Sequence, residues 1–216
     1  MEKDKFNYIE AAQKLTNEKS VWRQIGCAIK NEMFPCPQNR SSSRITLFLS
    51  TVAAVVLARS ENTVSLAQEI CGIFLDVHMA IFGCIFAVYS ILLAFMSDSY
   101  IKKLLKIGYN DKVSYLQVST QYYESALYIY FAAICMSLTY KIGTECMPLM
   151  YVLTDNDTVN MVLAFILLWV YFLYAIRSVL ELKSVIGNTL LLFRTSLQFK
   201  ILTFEEDKTR ENQSND

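Results

Sequence analysis

Residues 70–96 form the longest apolar stretch of the chain, and only Asp76 and His78 interrupt it. A helix that crosses a bilayer needs about 20 apolar residues, whereas a helix of this length in a soluble protein would show a polar face. Three further apolar stretches lie at 45–58, 126–140 and 159–176. Hydrophobic residues make up 54% of the chain and charged residues only 19%, against about a quarter charged in soluble domains. The sequence therefore predicts an all-α membrane protein with four transmembrane helices; a soluble all-helical protein is the alternative.

Two of the four stretches are shorter than a full span. Residues 45–58 reach the required length if 41–60 is helical and Arg44 and Arg59 extend their side chains to the lipid headgroups. The third stretch extends back to Val118, with Glu124 inside it. Four is the only even number of spans that this hydropathy supports.

The Lys and Arg residues are distributed unevenly between the connecting segments. Residues 1–44, 97–116 and those from 177 onward carry 18 of them, whereas 59–69 and 141–158 carry two. Because cytoplasmic segments carry the excess of basic residues, we expect a multi-pass protein of the inner membrane with both termini in the cytoplasm. The predicted segments are a cytoplasmic amphipathic arm at 1–44, a membrane domain at 45–176 with a cytoplasmic loop at 97–117, a cytoplasmic helical extension at 177–204 and a disordered polar tail at 205–216.

One side of the second helix carries only small residues, at spacings of three and four: Ala80, Gly83, Ala87, Ser90 and Ala94. The opposite side carries bulky residues such as Phe74, Ile85 and Leu92. Small residues let two membrane helices approach closely. We therefore predict that this small-residue stripe packs at the centre of the assembly, with the bulky side toward lipid or a looser neighbour.

Two polar residues lie in the same helix. Asp76 continues the small-residue stripe, four residues before Ala80, and an intramembrane carboxylate is a candidate for a pore or ligand site. Counting about 20 residues back from Met96 places Asp76 at the outer edge of the hydrocarbon, which favours an interfacial carboxylate over a pore residue. His78 lies about 200° from Asp76 around the helix. We expect His78 to be interfacial too, with a pH-sensing role as the alternative.

The fourth helix is predicted to continue beyond its span. Apolar residues are spaced 3-4-4-3-4-4-3 along one side, a pattern we call the seam: Val179, Leu182, Ile186, Leu190, Phe193, Leu197, Ile201 and Phe204. An eleven-residue repeat indicates a straight or slightly right-handed supercoil. We predict self-association through this seam, hence a homo-oligomer. The alternative is an amphipathic helix lying flat on the inner leaflet.

The arm and the inner loop carry features typical of the membrane surface. Trp22, with Ile25, Ile29 and Met33, marks an amphipathic piece whose tryptophan suits the headgroup level. Three loop lysines are candidates for contact with anionic lipid or with a partner: Lys102, Lys103 and Lys106. The alternative is that the arm packs on the loop and the extension as a small cytoplasmic layer.

The sequence contains no recognisable catalytic, phosphate-binding or metal-binding motif. A single histidine excludes a site that needs two imidazoles, and the sequence has no Gly-rich phosphate loop and no CxxC pair. The 20 basic and 20 acidic residues cancel, which argues against direct nucleic-acid binding. We expect no enzymatic activity, no cofactor and no metal. Cys71 and Cys146 both fall near the outer face, where a disulfide between them is an open alternative.

One segment resembles a known family. The string FAVYSILLAFMSDSYIKKLLKIGYNDKVSYL, residues 86–116, joins the second span to the third. It is similar to the equivalent joint in small four-span proteins encoded beside bacterial antiphage genes, and the layout looks most like the membrane subunit of the Kiwa defence system. The resemblance implies a homo-oligomer in the bacterial inner membrane that responds to phage infection and controls a cytoplasmic, DNA-binding partner subunit. It implies no catalytic residues.

Two functions from different classes remain open. The first is a membrane sensor and scaffold whose partners are itself, the bilayer and a cytoplasmic protein. The second is an ion channel or pore-forming effector, which depends on the small-residue stripe that ends at Asp76. A transporter is a weaker third choice, because no inverted repeat and no pair of broken helices is found.

Overall fold

The structure, a computed structural model, describes residues 20–34, 40–96, 101, 108–109, 113–148 and 154–214 of the 216-residue chain. Five helices and one short strand pair make up its regular structure. They are α1 (Val21–Ala28, followed by a π-helical turn at Ile29–Met33), α2 (Arg40–Ala58), α3 (Thr63–Phe95), β1 (Gly108–Tyr109), β2 (Val113–Ser114), α4 (Tyr115–Glu145) and α5 (Asp157–Ser214).

The four long helices confirm the predicted all-helical architecture. Helices α2, α3 and α4 and the first 42 residues of α5 are each long and apolar enough to cross a membrane. The short first stretch gains its length by starting at Arg40, so that α2 spans 19 residues. The two-residue antiparallel pair, with Gly108 opposite Ser114, is an addition that hydropathy did not predict.

Helix α2 packs through one side on which most residues are small. Its buried residues are Thr46, Ser50, Ala54 and Leu57. The hydroxyls of Thr46 and Ser50 donate to the carbonyls of Ser42 and Thr46 at 2.9 and 2.6 Å. Because the helix itself satisfies these hydroxyls, they can be buried without a partner on another helix.

The described residues form two compact units. One comprises residues 88–123 and 183–214, and the other comprises residues 20–87 and 124–182. In the first unit, Tyr89 stacks on Tyr123 with ring centroids 5.7 Å apart, and the Tyr123 hydroxyl lies 2.8 Å from the Thr189 hydroxyl.

The second unit contains the main apolar core. Its fully buried members combine small and large side chains: Ala54, Leu57, Ala67, Cys71, Leu168, Tyr171, Phe172 and Ala175. Small residues on α2 and α3 therefore lie against aromatic residues on α5. Hydrogen bonds add specific links between helices, including Trp169 Nε1 to Thr51 Oγ1 at 3.0 Å and Gln68 Nε2 to the Thr144 carbonyl at 2.8 Å.

Helix α5 runs 58 residues without a break, about 87 Å at 1.5 Å per residue. A helix that continues well beyond the fourth apolar stretch is therefore present. The prediction of a disordered tail from residue 205 was wrong, because the helical backbone continues to Ser214. Glu, Lys and Arg are favourable helix formers, and a lack of apolar residues removes packing but not helix propensity.

Candidate functional site

The most concentrated polar chemistry in the described structure is buried around His78. His78 Nε2 lies 2.8 Å from the Ser178 hydroxyl, and Nδ1 lies 3.4 Å from the Ser137 hydroxyl. Ser137 in turn lies 3.2 Å from the Tyr171 hydroxyl, and Tyr130 donates to the Ser178 carbonyl at 2.8 Å. All five residues are at most 1% exposed. We call this group the His78 cluster.

The hydrogen bonds assign the protons within the cluster. The Ser178 hydroxyl donates its one hydrogen to the Ala175 carbonyl at 2.8 Å. It therefore accepts from His78, so that the imidazole carries a hydrogen on Nε2. The imidazole of His78 is thus held between two serine hydroxyls.

The cluster joins three helices of one unit. His78 lies on α3, Tyr130 and Ser137 on α4, and Tyr171 and Ser178 on α5. Phe74 stacks on the imidazole, with ring centroids 5.8 Å apart. In a setting with little water, hydrogen bonds between helices supply specificity that apolar packing lacks. The arrangement fixes the mutual position of the three helices.

The side chain of His78 is 0% exposed and so lies inside the chain, while its position at the membrane interface stays a prediction. Sequence reasoning compared His78 only with Asp76 on the same helix. The partners of His78 come from positions about 60 and 100 residues away, which no local pattern shows. The one available signal was the histidine itself, as a polar residue inside an apolar stretch.

The contacts of His78 show how α3 and α5 align. Ser178 lies two residues beyond the predicted end of the fourth span at 176, and it contacts His78 at 2.8 Å. Phe74 meets Tyr171 with ring centroids 6.0 Å apart, in the same parallel register of α3 and α5. Asp76 lies between Phe74 and His78 on α3, and therefore at a level between Tyr171 and Ser178 along α5.

Helix α3 is longer than one membrane crossing requires. Its 33 residues extend about 50 Å, whereas the hydrocarbon core is about 30 Å thick. Hydropathy alone does not select which part of such a helix lies in lipid. The Asp76 side chain is exposed on the outside of the chain.

A second polar group lies close by in the same unit. Arg177 is 3% exposed; its Nη1 donates to the Ser42 hydroxyl at 2.7 Å, and its Nη2 lies 3.7 Å from Glu181 Oε2. Glu181 is also buried, at 6% exposure. The sequence analysis made Arg177 the first residue of a cytoplasmic extension. The structure shows a buried i, i+4 ion pair within α5 and a hydrogen bond from Arg177 to Ser42 that links α5 to α2.

The small-residue stripe faces outward. Its five residues are all exposed: Ala80, Gly83, Ala87, Ser90 and Ala94. On the opposite side of α3, Ile85 and Leu92 are 2% and 8% exposed. Within the single chain these two residues of the bulky side therefore lie against other helices. That the stripe packs at the centre of the assembly, with the bulky side toward lipid or a looser neighbour, stays a prediction. A Cβ built on Gly83 meets nothing within 4 Å.

Most of the predicted seam is exposed as well. Val179 and Leu182 are half-buried. The other six seam residues are between 44% and 68% exposed: Ile186, Leu190, Phe193, Leu197, Ile201 and Phe204. The inward side of the same helix stretch carries Val185 and Leu192, which are 4% and 3% exposed.

The predicted surface contacts have different outcomes. Trp22 is 79% exposed, at the start of α1, and the neighbouring Gln24 accepts a hydrogen bond from Tyr128 on α4 at 2.7 Å. Lys102, Lys103 and Lys106 lie outside the described residues. Cys71 is buried and Cys146 is exposed, and both are free thiols.

The chemistry of the site is that of hydrogen bonding and packing. Within the described part of the chain, the side-chain partners of His78 are serine hydroxyls, and no group of three potential metal ligands is found. Comparison of the chain with protein-family models, curated proteins and solved structures finds no match.

Proposed function

We propose that this protein is a membrane-embedded, homo-oligomeric sensor and scaffold subunit that controls a cytoplasmic partner. The observation that carries the proposal is the exposed seam on α5. From Ile186 to Phe204 the helix rises about 27 Å and presents six large apolar side chains outward. Both termini are proposed to lie in the cytoplasm, as the distribution of Lys and Arg predicts.

The size of the apolar surface supports a protein neighbour. Burial of one Leu, Ile or Phe side chain contributes about 1.5–3 kcal/mol, so six such residues supply a substantial driving force for association. Where this part of α5 stands outside the bilayer, as the proposal places it, a continuous apolar patch of this length marks an interaction site. The eleven-residue spacing of the seam keeps it on one side of a nearly straight helix, which suits pairing with an identical helix.

The outward small-residue stripe provides a second surface for the same assembly. Since Gly83 and its neighbours do not pack closely within the chain, a second copy can approach α3 along them. Small residues at such positions are what membrane helices use for close contact. In this proposal the stripe joins copies within the membrane, and the seam joins them in the cytoplasm.

The biological setting of the proposal comes from the resemblance of residues 86–116 to the Kiwa membrane subunits. This resemblance extends the proposal to bacterial antiphage defence. In the extended proposal the oligomer responds to phage infection at the inner membrane and passes a signal to its soluble partner. The buried His78 cluster supports this role, because a rigid three-helix connection is able to transmit a movement from one end of a helix to the other.

Affinity capture from the native host tests the proposal. The protein is tagged, solubilised in mild detergent and captured with and without phage infection, and the bound proteins are identified by mass spectrometry. We expect a soluble protein at constant stoichiometry with the wild type, and much less of it with Leu197→Gln/Ile201→Gln. Gln198→Ala, an exposed position off the seam, serves as the matched control. Repeated capture without a soluble partner would overturn the proposal.

The alternative is an ion channel or pore-forming effector. Asp76 is exposed on the outside of α3 and lies on the same side as the small-residue stripe. If copies pack through the stripe, Asp76 lies at or near their contact, where a ring of carboxylates attracts cations. Ion flux through proteoliposomes distinguishes this function from a scaffold.

A further inference from the structure

A cavity of about 620 Å³ lies between the π-helical turn that follows α1 and the helices α2, α4 and α5, within one unit of the chain. This volume is typical of sites that hold a small amphipathic molecule. Its walls combine two kinds of chemistry: three arginines, Arg40, Arg44 and Arg177, and a larger set of apolar side chains that includes Met33, Leu47 and Val170.

The charged part of the cavity is uniformly positive. No acidic residue is among its described lining residues. Arg40 and Arg44 are four residues apart and so lie on the same face of α2. Arg40 is the first residue of α2 and Arg44 lies one turn further on; the first turn contains no acidic residue, although a helix N-terminus carries partial positive charge and favours anions. Two cations at this end of a helix are unfavourable unless an anion accompanies them.

The third arginine lines the cavity in a fixed position. Arg177 is 3% exposed and is held by Ser42 and Glu181 at 2.7 and 3.7 Å. Its guanidinium is therefore oriented before any ligand binds, which lowers the entropic cost of binding. Even with Glu181 counted against Arg177, the two exposed arginines leave the cavity with an excess of positive charge.

The apolar part of the cavity opens on the lateral surface of the chain. Leu47 and Val170 line it and are 50% and 46% exposed. They lie on helices that are long and apolar enough to span a membrane, so an acyl chain is the apolar group that reaches them. A soluble anion would satisfy the arginines and leave this wall uncovered.

We propose that the cavity binds one anionic phospholipid, with its phosphate on Arg40 and Arg44 and an acyl chain along Leu47 and Val170. Basic pockets between transmembrane helices are suited to such headgroups. Arg177 forms the inner wall against the phosphate. The proposal requires that the four long helices lie in a bilayer, but it does not depend on the sensor or scaffold function.

Native mass spectrometry of the full-length protein released from nanodiscs tests the proposal. Nanodiscs contain phosphatidylglycerol or cardiolipin mixed with phosphatidylcholine, and the retained lipid is counted for each variant. Since each basic contact near the membrane surface contributes about 1 kcal/mol, one arginine lost corresponds to about fivefold weaker retention, and Arg40→Gln/Arg44→Gln to about 30-fold. Arg59→Gln, beyond the far end of α2, is the matched control and should retain lipid like the wild type.

A second variant keeps the test decisive if the arginine variant fails to fold. Leu47→Trp leaves all three arginines in place and fills the apolar wall, and it should also reduce retention of phosphatidylglycerol. Equal retention of phosphatidylglycerol by wild type, Arg40→Gln/Arg44→Gln and Leu47→Trp would overturn the proposal. Equal retention of phosphatidylcholine by the wild type, or displacement of the lipid by soluble glycerol phosphate, would overturn it as well.

Discussion

His78 Nε2 and the Ser178 hydroxyl lie 2.8 Å apart although one hundred residues separate them in the chain. The contact holds α3 and α5 in a parallel register and places an imidazole in a fully buried position. Ser137 on α4 completes the set of three helices. Hydrogen bonds of this kind fix the mutual register of helices that apolar packing alone leaves free to slide.

The first prediction concerns the energy of this contact. Ser178→Ala leaves the buried Nε2–H of His78 without its acceptor, which costs about 1–3 kcal/mol. The coupling between His78→Ala and Ser178→Ala in a double-mutant cycle should be about 0.6 kcal/mol, with an upper range near 1.7 kcal/mol for hydrogen bonds between membrane helices. Unfolding of the four proteins in detergent measures it. Asp76→Ala, exposed on the same helix, is the control, and additive effects of the two substitutions would contradict the predicted contact.

The second prediction concerns the buried ion pair. Either Arg177→Leu or Glu181→Leu alone leaves one buried charge without its partner. Each should destabilise the protein by about 3–5 kcal/mol. The double substitution Arg177→Leu/Glu181→Leu should be less harmful than either single change, because an apolar pair removes both desolvation costs. Thermal unfolding in the same detergent checks this order. A double variant that is less stable than both single variants would show that the pair is not buried as described.

The third prediction concerns topology. Reporter proteins fused separately to Met1 and Asp216 should both be active in the cytoplasm, since 18 of the 20 basic residues lie in segments assigned to that side. A reporter fused after Arg59 should be active on the opposite side. Ends on different sides of the membrane would contradict the four-span arrangement.

The fourth prediction separates the scaffold from the pore. Proteoliposomes with the wild-type protein should stay as tight to cations as empty vesicles, and Asp76→Ala should leave this unchanged. A pore would instead produce cation flux that Asp76→Ala abolishes and that Asp76→Glu, which keeps the carboxylate, retains. Flux with this pattern would replace the scaffold by the alternative function.

The architecture was predictable because the signal for each helix lies within its own stretch of sequence. Apolar residues repeat along a single helix, so hydropathy located four long helices, and the eleven-residue spacing of the seam predicted that α5 continues past its span. The polar composition after Phe204 predicts disorder because this stretch has no apolar residues that could pack. It nevertheless consists largely of residues that tolerate a helix.

The candidate site was not predictable to the same degree, because it depends on the register between helices. The His78 cluster needs Ser137 and Ser178 at the same depth, and nothing in either local sequence encodes that depth. The same limitation applies to the small-residue stripe of α3: a helical pattern shows which residues share a face, but not which face the rest of the chain covers. Exposure of Gly83 and burial of Ile85 follow from packing on the other helices.

The mass of the solubilised particle tests the central claim most directly. Light scattering in detergent, corrected for bound detergent, measures the protein mass of the particle. For the wild type this mass should correspond to two or more whole chains at all dilutions tested. Leu197→Gln/Ile201→Gln should lower this mass or make it fall on dilution, and Gln198→Ala should behave like the wild type. A wild-type protein that is monomeric in mild detergent and in nanodiscs, or an oligomer unaffected by the seam substitutions, would contradict the assignment of the seam as the contact between copies.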